Sequence, residues 1–177
     1  MKNSIKVFIF LILLTGIFYP LAVSFLGQTI FPFQANGSIL KMNEKIVGSK
    51  LIAQEFKSDK FFHPRPSAIE YNPMSSGASN LGPVSKKLKD QIDIGKKDRL
   101  QDEMLFTSGS GLDPHISFKS ALLQVDRVAN ARGLDELKKQ KLIEKVKRST
   151  IHDNPIFFGS DLVNVLELNI LLENGNI

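Results

Sequence analysis

The chain contains no cysteine among its 177 residues. That absence excludes a disulfide framework, a cysteine-based zinc site and thiol chemistry. There is no internal repeat and no sustained coiled-coil heptad. Charge of one sign is never gathered into a stripe. The formal charge of +5 falls to +3 once Lys2 and Lys6, which precede the first apolar run, are set aside. The remaining basic residues are scattered among acids, which argues against nucleic acid as a partner. The three histidines, His63, His115 and His152, show no metal-ligand spacing.

Catalytic signatures are missing too. Gly109-Ser110-Gly111-Leu112 lacks the lysine that a phosphate-cradling loop needs after its last glycine. Ser79 follows Gly77 at the spacing of a nucleophile elbow, but Leu81 stands where the second glycine belongs. Ser38 and Lys41 match a Ser-x-x-Lys pair whose companion motifs are absent. Asp113 is close enough in sequence to polarise His115, yet an aspartate before Pro114 more often shapes a turn. No active site assembles from these residues.

What the chain does have is a long apolar run, VFIFLILLTGIFYPLAVSFL over 7–26, without one charge. Twenty helical residues span roughly the 30 Å hydrocarbon core of a bilayer. A cleavable signal peptide, cut after Ser24, is the competing reading, with Ala22 and Ser24 as its small residues. Phe25, Leu26, Ile30, Phe31 and Phe33 extend the apolar character past that point and favour a retained helix over 7–30. Pro20 is tolerable in a membrane helix. Lys2 and Lys6 place residues 1–6 in the cytoplasm and residues 31–177 outside it, a bias that Lys41 and Lys45 weaken without reversing. Either reading exports the remainder.

The exported part is long enough for one compact domain. Two apolar stretches around Asn43-Glu44 predict a hairpin with strands near 38–41 and 46–52. Residues 61–83 hold four prolines and two glycines, which rules out a regular helix there. Phe61, Phe62, Ile69, Tyr71 and Met74 give that stretch enough apolar surface to be ordered. Ser85 opens a short helix to about Ile94, and a second irregular loop covers 108–117. Ala121, Leu122, Val125, Val128 and Ala129 then mark one face of a helix capped by Ser117 and stopped by Gly133, with Arg132 in its last turn. Asp135 opens another helix, ending before Pro155, whose inner face is Leu137, Leu142, Ile143 and Val146. The tail 163–173 reads as a short strand or turn leading into a final helix. The expected fold class is α+β, with one N-terminal membrane helix, a small antiparallel sheet and three to four further helices.

Six segments in order carry a family resemblance: GSKLIAQEF, FFHPRPSA, SSGASNLGP, SGSGLDPHIS, QVDRVANARGL and VNVLELNILLE. With the N-terminal helix and its Tyr19-Pro20, the chain resembles the C subunit of the Kdp potassium-transporting P-type ATPase over nearly its whole length. Ala53 and Ala78 depart from it, standing where the family often has glycine. The resemblance implies a single-pass inner-membrane protein that keeps its N-terminal helix. It implies a complex with a channel-like potassium-binding subunit, a P-type ATPase subunit and a small membrane peptide, which hydrolyses ATP to import potassium. The C subunit is not the ATPase, so no catalytic residue, metal or tightly bound cofactor is expected, and ATP is met only through the complex.

Two roles compete under that resemblance. The family is described as a catalytic chaperone that raises the nucleotide affinity of the ATPase subunit through a Gln-x-x-Arg pair, matched here by Gln124 and Arg127. Three apart on a predicted helix, they share a face and could hold ribose or phosphate. Arg127 could equally pair near Asp126 or cap a carbonyl, and a domain outside the membrane meets no cytoplasmic ATP. The other role is docking at the outer mouth of the channel-like subunit through the loops 61–83 and 108–117. Its candidate contacts are Arg65, Ser67, Ser76, Gly77, Ser79, Asn80, Ser108, Ser110, Gly111, Asp113 and His115. Thr15 and Gly16 would let the anchor pack closely on neighbouring helices. A free-standing exported hydrolase is a third class, and it predicts activity from residues 34–177 alone.

Overall fold

Residues 2–30 form one helical rod in a computed structural model that describes residues 2–97, 100, 102–151 and 161–175. The rod is α-helical over Lys2–Leu13 (α1) and Tyr19–Ile30 (α2), with a π-helical turn over Leu14–Phe18 between them. Pro20 explains the wider turn. It has no N–H to offer Gly16, and the Tyr19 N–H instead reaches back five residues to the Leu14 carbonyl. The most apolar 18-residue window of the rod has a mean hydropathy of 2.4 and is wholly unburied by the rest of the described protein. The rod is long and apolar enough to cross a membrane, and it starts five residues before the boundary expected from the apolar run alone.

The chain then turns through a short helix, Pro32–Ala35 (α3), into the strands Ile39–Met42 (β1) and Lys45–Ser49 (β2). The hairpin turn is Asn43-Glu44, as expected. Both residues have positive φ (48° and 64°), the conformation that matches a two-residue turn to strand twist. β2 stops at Ser49 rather than near 52, because Ser49 Oγ accepts the Leu51 N–H at 3.1 Å and its carbonyl the Ile52 N–H at 3.3 Å, closing a turn.

A second sheet takes strands distant in sequence. His115–Ser117 (β3), Thr150–Ile151 (β4) and Leu162–Asn164 (β5) pair antiparallel in the order β3-β5-β4. Around it stand Lys86–Lys97 (α4), Phe118–Arg132 (α5), Glu136–Arg148 (α6) and Val165–Glu173 (α7). The α+β class matches the sequence expectation, but the described residues hold five α-helices after the rod, counting the short α3, and two small antiparallel sheets where one was expected. The strands β3, β4 and β5 are too short and too far apart in the chain to show a local strand pattern. The predicted caps are present as well. Ser117 Oγ accepts the Ser120 N–H at 3.1 Å, Asp135 Oδ1 accepts the Lys138 N–H at 2.8 Å, and Gly133 adopts a φ of +64° at the end of α5.

The core gathers Phe62, Ile116, Val125, Val128, Leu142, Val146, Val163 and Leu168, all essentially inaccessible. Leu137 corrects one expectation, since it is 64% exposed. Five residues before Leu142, it lies about 140° around the helix from the buried stripe. His152 and Pro155 lie outside the described residues.

Candidate functional site

The segment 59–63 joins no sheet, yet Phe62 within it is fully buried. Buried peptide groups must find partners. Here helix side chains supply them. Arg127 Nη1 donates to the Asp59 carbonyl at 2.8 Å, and Arg132 Nε donates to that of Lys60 at 2.7 Å. Arg127 Nη2 donates to the Phe61 carbonyl at 3.0 Å. Asn169 on α7 brackets Phe62, accepting its N–H at 2.8 Å and donating to its carbonyl at 2.9 Å. Gln124 does the same for His63, at 2.8 and 3.0 Å. Consecutive carbonyls from Asp59 to His63 are thus each met by a side chain from α5 or α7.

The two helices also brace each other around this segment. Arg127 Nη2 donates to Gln124 Oε1 at 2.8 Å, which confirms that the pair shares a face. Arg132 stacks 5.2 Å from the Phe61 ring centroid and pairs with Glu173 at 2.8 Å. Asp126 instead pairs with Lys139 on α6 at 2.7 Å, so of the two structural roles open to Arg127 the protein uses carbonyl capping. Burial lowers the Arg127 pKa, opposed by the Asp59 carboxylate 3.4 Å away. Burial, then the Arg127 charge, lowers the pKa of His63.

A cleft of about 450 Å³ opens beside this clamp, lined by Glu55, Lys57, His63, Tyr71, Gln124 and Arg127 among others. Burial and then the Glu55 charge push the Tyr71 hydroxyl up to about 12, and it donates to the Arg65 carbonyl at 2.9 Å. Tyr71 is therefore a neutral hydrogen-bond donor, not a base.

The two Gly/Ser loops meet on a separate surface. The Gly77 N–H donates to the Ser110 carbonyl at 2.9 Å and Ser76 Oγ to the same oxygen at 3.3 Å. The Ser108 N–H reaches the Pro66 carbonyl at 3.0 Å, and the Ala53 N–H reaches that of Leu112 at 2.9 Å. Gly111 has a φ of +73°, and a Cβ there would sit 2.5 Å from Ile69 and 2.9 Å from the Gly77 carbonyl. Only glycine fits that crossing.

Among the expected contact residues, the half-buried Ser67 and the buried Ser108 and Gly111 serve this architecture. Ser67 Oγ accepts the N–H groups of Ile69 and Tyr71 at 3.2 and 3.0 Å. Arg65, Gly77, Ser79, Asp113 and His115 are half-buried, while Ser76, Asn80 and Ser110 are exposed. Asp113 Oδ1 accepts the His115 N–H at 3.0 Å, the turn-shaping role expected before Pro114, and its second oxygen lies 3.8 Å from Arg65. Hydrogen bonding from His115 holds the Asp113 carboxyl below the usual range, against the effect of burial. Among the described residues no three His, Asp or Glu side chains converge as metal ligands.

Sequence reasoning singled out Gln124 and Arg127 but missed Asn169 and the bracing role of Arg132. The signal for Asn169 was there. An asparagine inside the apolar VLELNILLE helix must bury its amide against something.

A family description reading "K+-transporting ATPase, c chain", the KdpC family, matches residues 1–174. The chain belongs to the KdpC family. Relatives named potassium-transporting ATPase KdpC subunit include one from Rhodopseudomonas palustris (strain TIE-1), 42% identical over 92% of this chain and 90% of the relative. Those of Rhodospirillum rubrum and Pectobacterium atrosepticum are 41% and 40% identical. Each match covers 98% of this chain, with 94% and 95% of the relative.

Proposed function

We propose that this chain is an accessory subunit of an ATP-driven potassium import complex, acting by docking and not by chemistry of its own. The rod of α1 and α2 is its retained single-pass anchor in the inner membrane, with residues 1–6 cytoplasmic and the domain from residue 31 outside. Its partners are the channel-like potassium-binding subunit, the P-type ATPase subunit and a small membrane peptide. The platform where 76–80 meets 108–113 is the docking surface, through the exposed Ser76, Asn80 and Ser110.

The observation that carries this reading is the engagement of Gln124 and Arg127. The amide of Gln124 and both amino groups of Arg127 are taken up by the 59–63 backbone and by each other. A pair holding the fold in this way stiffens a docking module. One observation favours the nucleotide-affinity role as a second reading: the cleft beside the same pair, with Lys57 at its rim, has room for a small ligand.

Docking is tested by co-purification of the full chain with the transport complex. Ser76→Arg with Asn80→Arg should release the subunit while leaving it folded, and undiminished co-purification would count against the platform. Placement is tested by protease added to right-side-out spheroplasts. Cleavage of the domain is expected, and full protection would overturn the external assignment.

A further inference from the structure

The hairpin at the exit of the membrane rod carries exposed apolar side chains, Ile39 and Ile46, that none of the described residues covers. If the uncharged run 7–26 fills the roughly 30 Å hydrocarbon core, residues 27–30 stand at headgroup level. α3 folds back beside that last turn. The Phe31 N–H donates to the Gly27 carbonyl at 2.8 Å, and the Ala35 Cβ lies 4.0 Å from where a Gly27 Cβ would sit. The hairpin is latched to the same spot. The Ser38 N–H donates to the Phe33 carbonyl at 2.9 Å, Ser49 Oγ to that of Gly37 at 2.7 Å, and the Lys50 N–H to that of Ser38 at 3.0 Å.

The two faces of the hairpin differ. Leu40 and Met42 are half-buried, and Gln54 Nε2 donates to the Val47 carbonyl at 2.9 Å, tying β2 to the domain. Ile39 and Lys41 alternate outward on β1, and Ile46 sits opposite Lys41 in register. Ile46 is 67% exposed, and Phe31, Phe33 and Leu51 nearby in the chain are exposed as well. Apolar tips flanked by the exposed lysines 41 and 45 suit a lipid interface, where the side chain stems lie at the acyl boundary and the ammonium groups meet phosphates.

We propose that α3 and the β1–β2 hairpin form a collar lying in the headgroup layer of the bilayer, with Ile46 reaching the acyl boundary. The collar rests on the reading of α1 and α2 as a retained anchor. It would fix the angle at which the rod delivers the domain to its partners.

Because the chain has no cysteine, single thiol probes can be placed without background. The full chain carrying an environment-sensitive fluorophore at Ile46→Cys is reconstituted in liposomes with nitroxide-bearing lipids. Lys141→Cys on α6 serves as the aqueous reference and Phe25→Cys as the anchor control. The Ile46 probe should shift to the blue and lose most of its emission to headgroup-level nitroxide. The Lys141 probe should keep its emission, and the Phe25 probe should be quenched from the acyl region. An Ile46 probe behaving like Lys141 while Phe25 is quenched overturns the collar and leaves the anchor standing. An unquenched Phe25 probe overturns the anchor and the collar with it. In the assembled complex, a blue-shifted Ile46 probe that nitroxide lipids do not quench would mean that a partner subunit covers the hairpin, and would overturn the lipid assignment.

Discussion

The clamp at 59–63 and the platform at 76–80 with 108–113 belong to one irregular region, yet they are built in opposite ways. The clamp holds backbone with side chains drawn from α5 and α7, and it is centred on the buried Phe62. The platform holds backbone mostly with backbone, its contacts permitted by glycine, and several of its side chains point to solvent. Removing one side chain should therefore damage the clamp and spare the fold of the platform. An irregular segment can be a structural element in one half and a presentation surface in the other.

The largest expected effect is Asn169→Leu. It leaves both peptide groups of Phe62 unpaired in the core, and should cost about 3–4 kcal/mol, read by denaturant unfolding of the full chain in detergent. A loss no greater than that of a surface substitution would show the clamp to be dispensable.

Next comes a pair of glycines in the platform loop. Gly111→Ala forces a Cβ into Ile69 and the Gly77 carbonyl at a left-handed φ and should cost about 2 kcal/mol. Gly109→Ala meets nothing within 4 Å and should stay within about 0.5 kcal/mol. Equal costs would mean that backbone crossing at Gly111 does not define the platform.

The smallest effect is a pH dependence confined to the clamp. His63 has a lowered pKa in the folded protein, so the unfolded chain takes up its proton first as pH falls. Its contribution to stability is present above the unfolded value of 6.5, declines as pH falls below it, and levels off beneath the folded value. His63→Gln should flatten that part of the melting-temperature profile. Asp113, also lowered, would act only at the acid end, below its ordinary 3.8.

Much of this architecture was legible in the sequence because it is written locally. Ser117 and Gly133 bracket α5, Asn43-Glu44 turns the hairpin, and the uncharged run marks the rod. Leu137 misled because its apolar character suggested an inner face that its angular position denies. The clamp was half legible. Gln124 and Arg127 stood out, but their partners lie 61 to 68 residues away, and those of Asn169 lie 107 away. No local pattern reports such pairings. The crossing of Gly111 over Gly77 was hidden for the same reason.

The central claim is that Gln124 and Arg127 serve the fold and not a nucleotide. It is tested most directly by the ATP dependence of the assembled potassium pump carrying Arg127→Lys or Gln124→Ala in this subunit, normalised to intact complex and set beside the subunit's melting temperature. The account predicts a lower melting temperature with an unchanged KM for ATP. A raised KM for ATP with the melting temperature intact would contradict it.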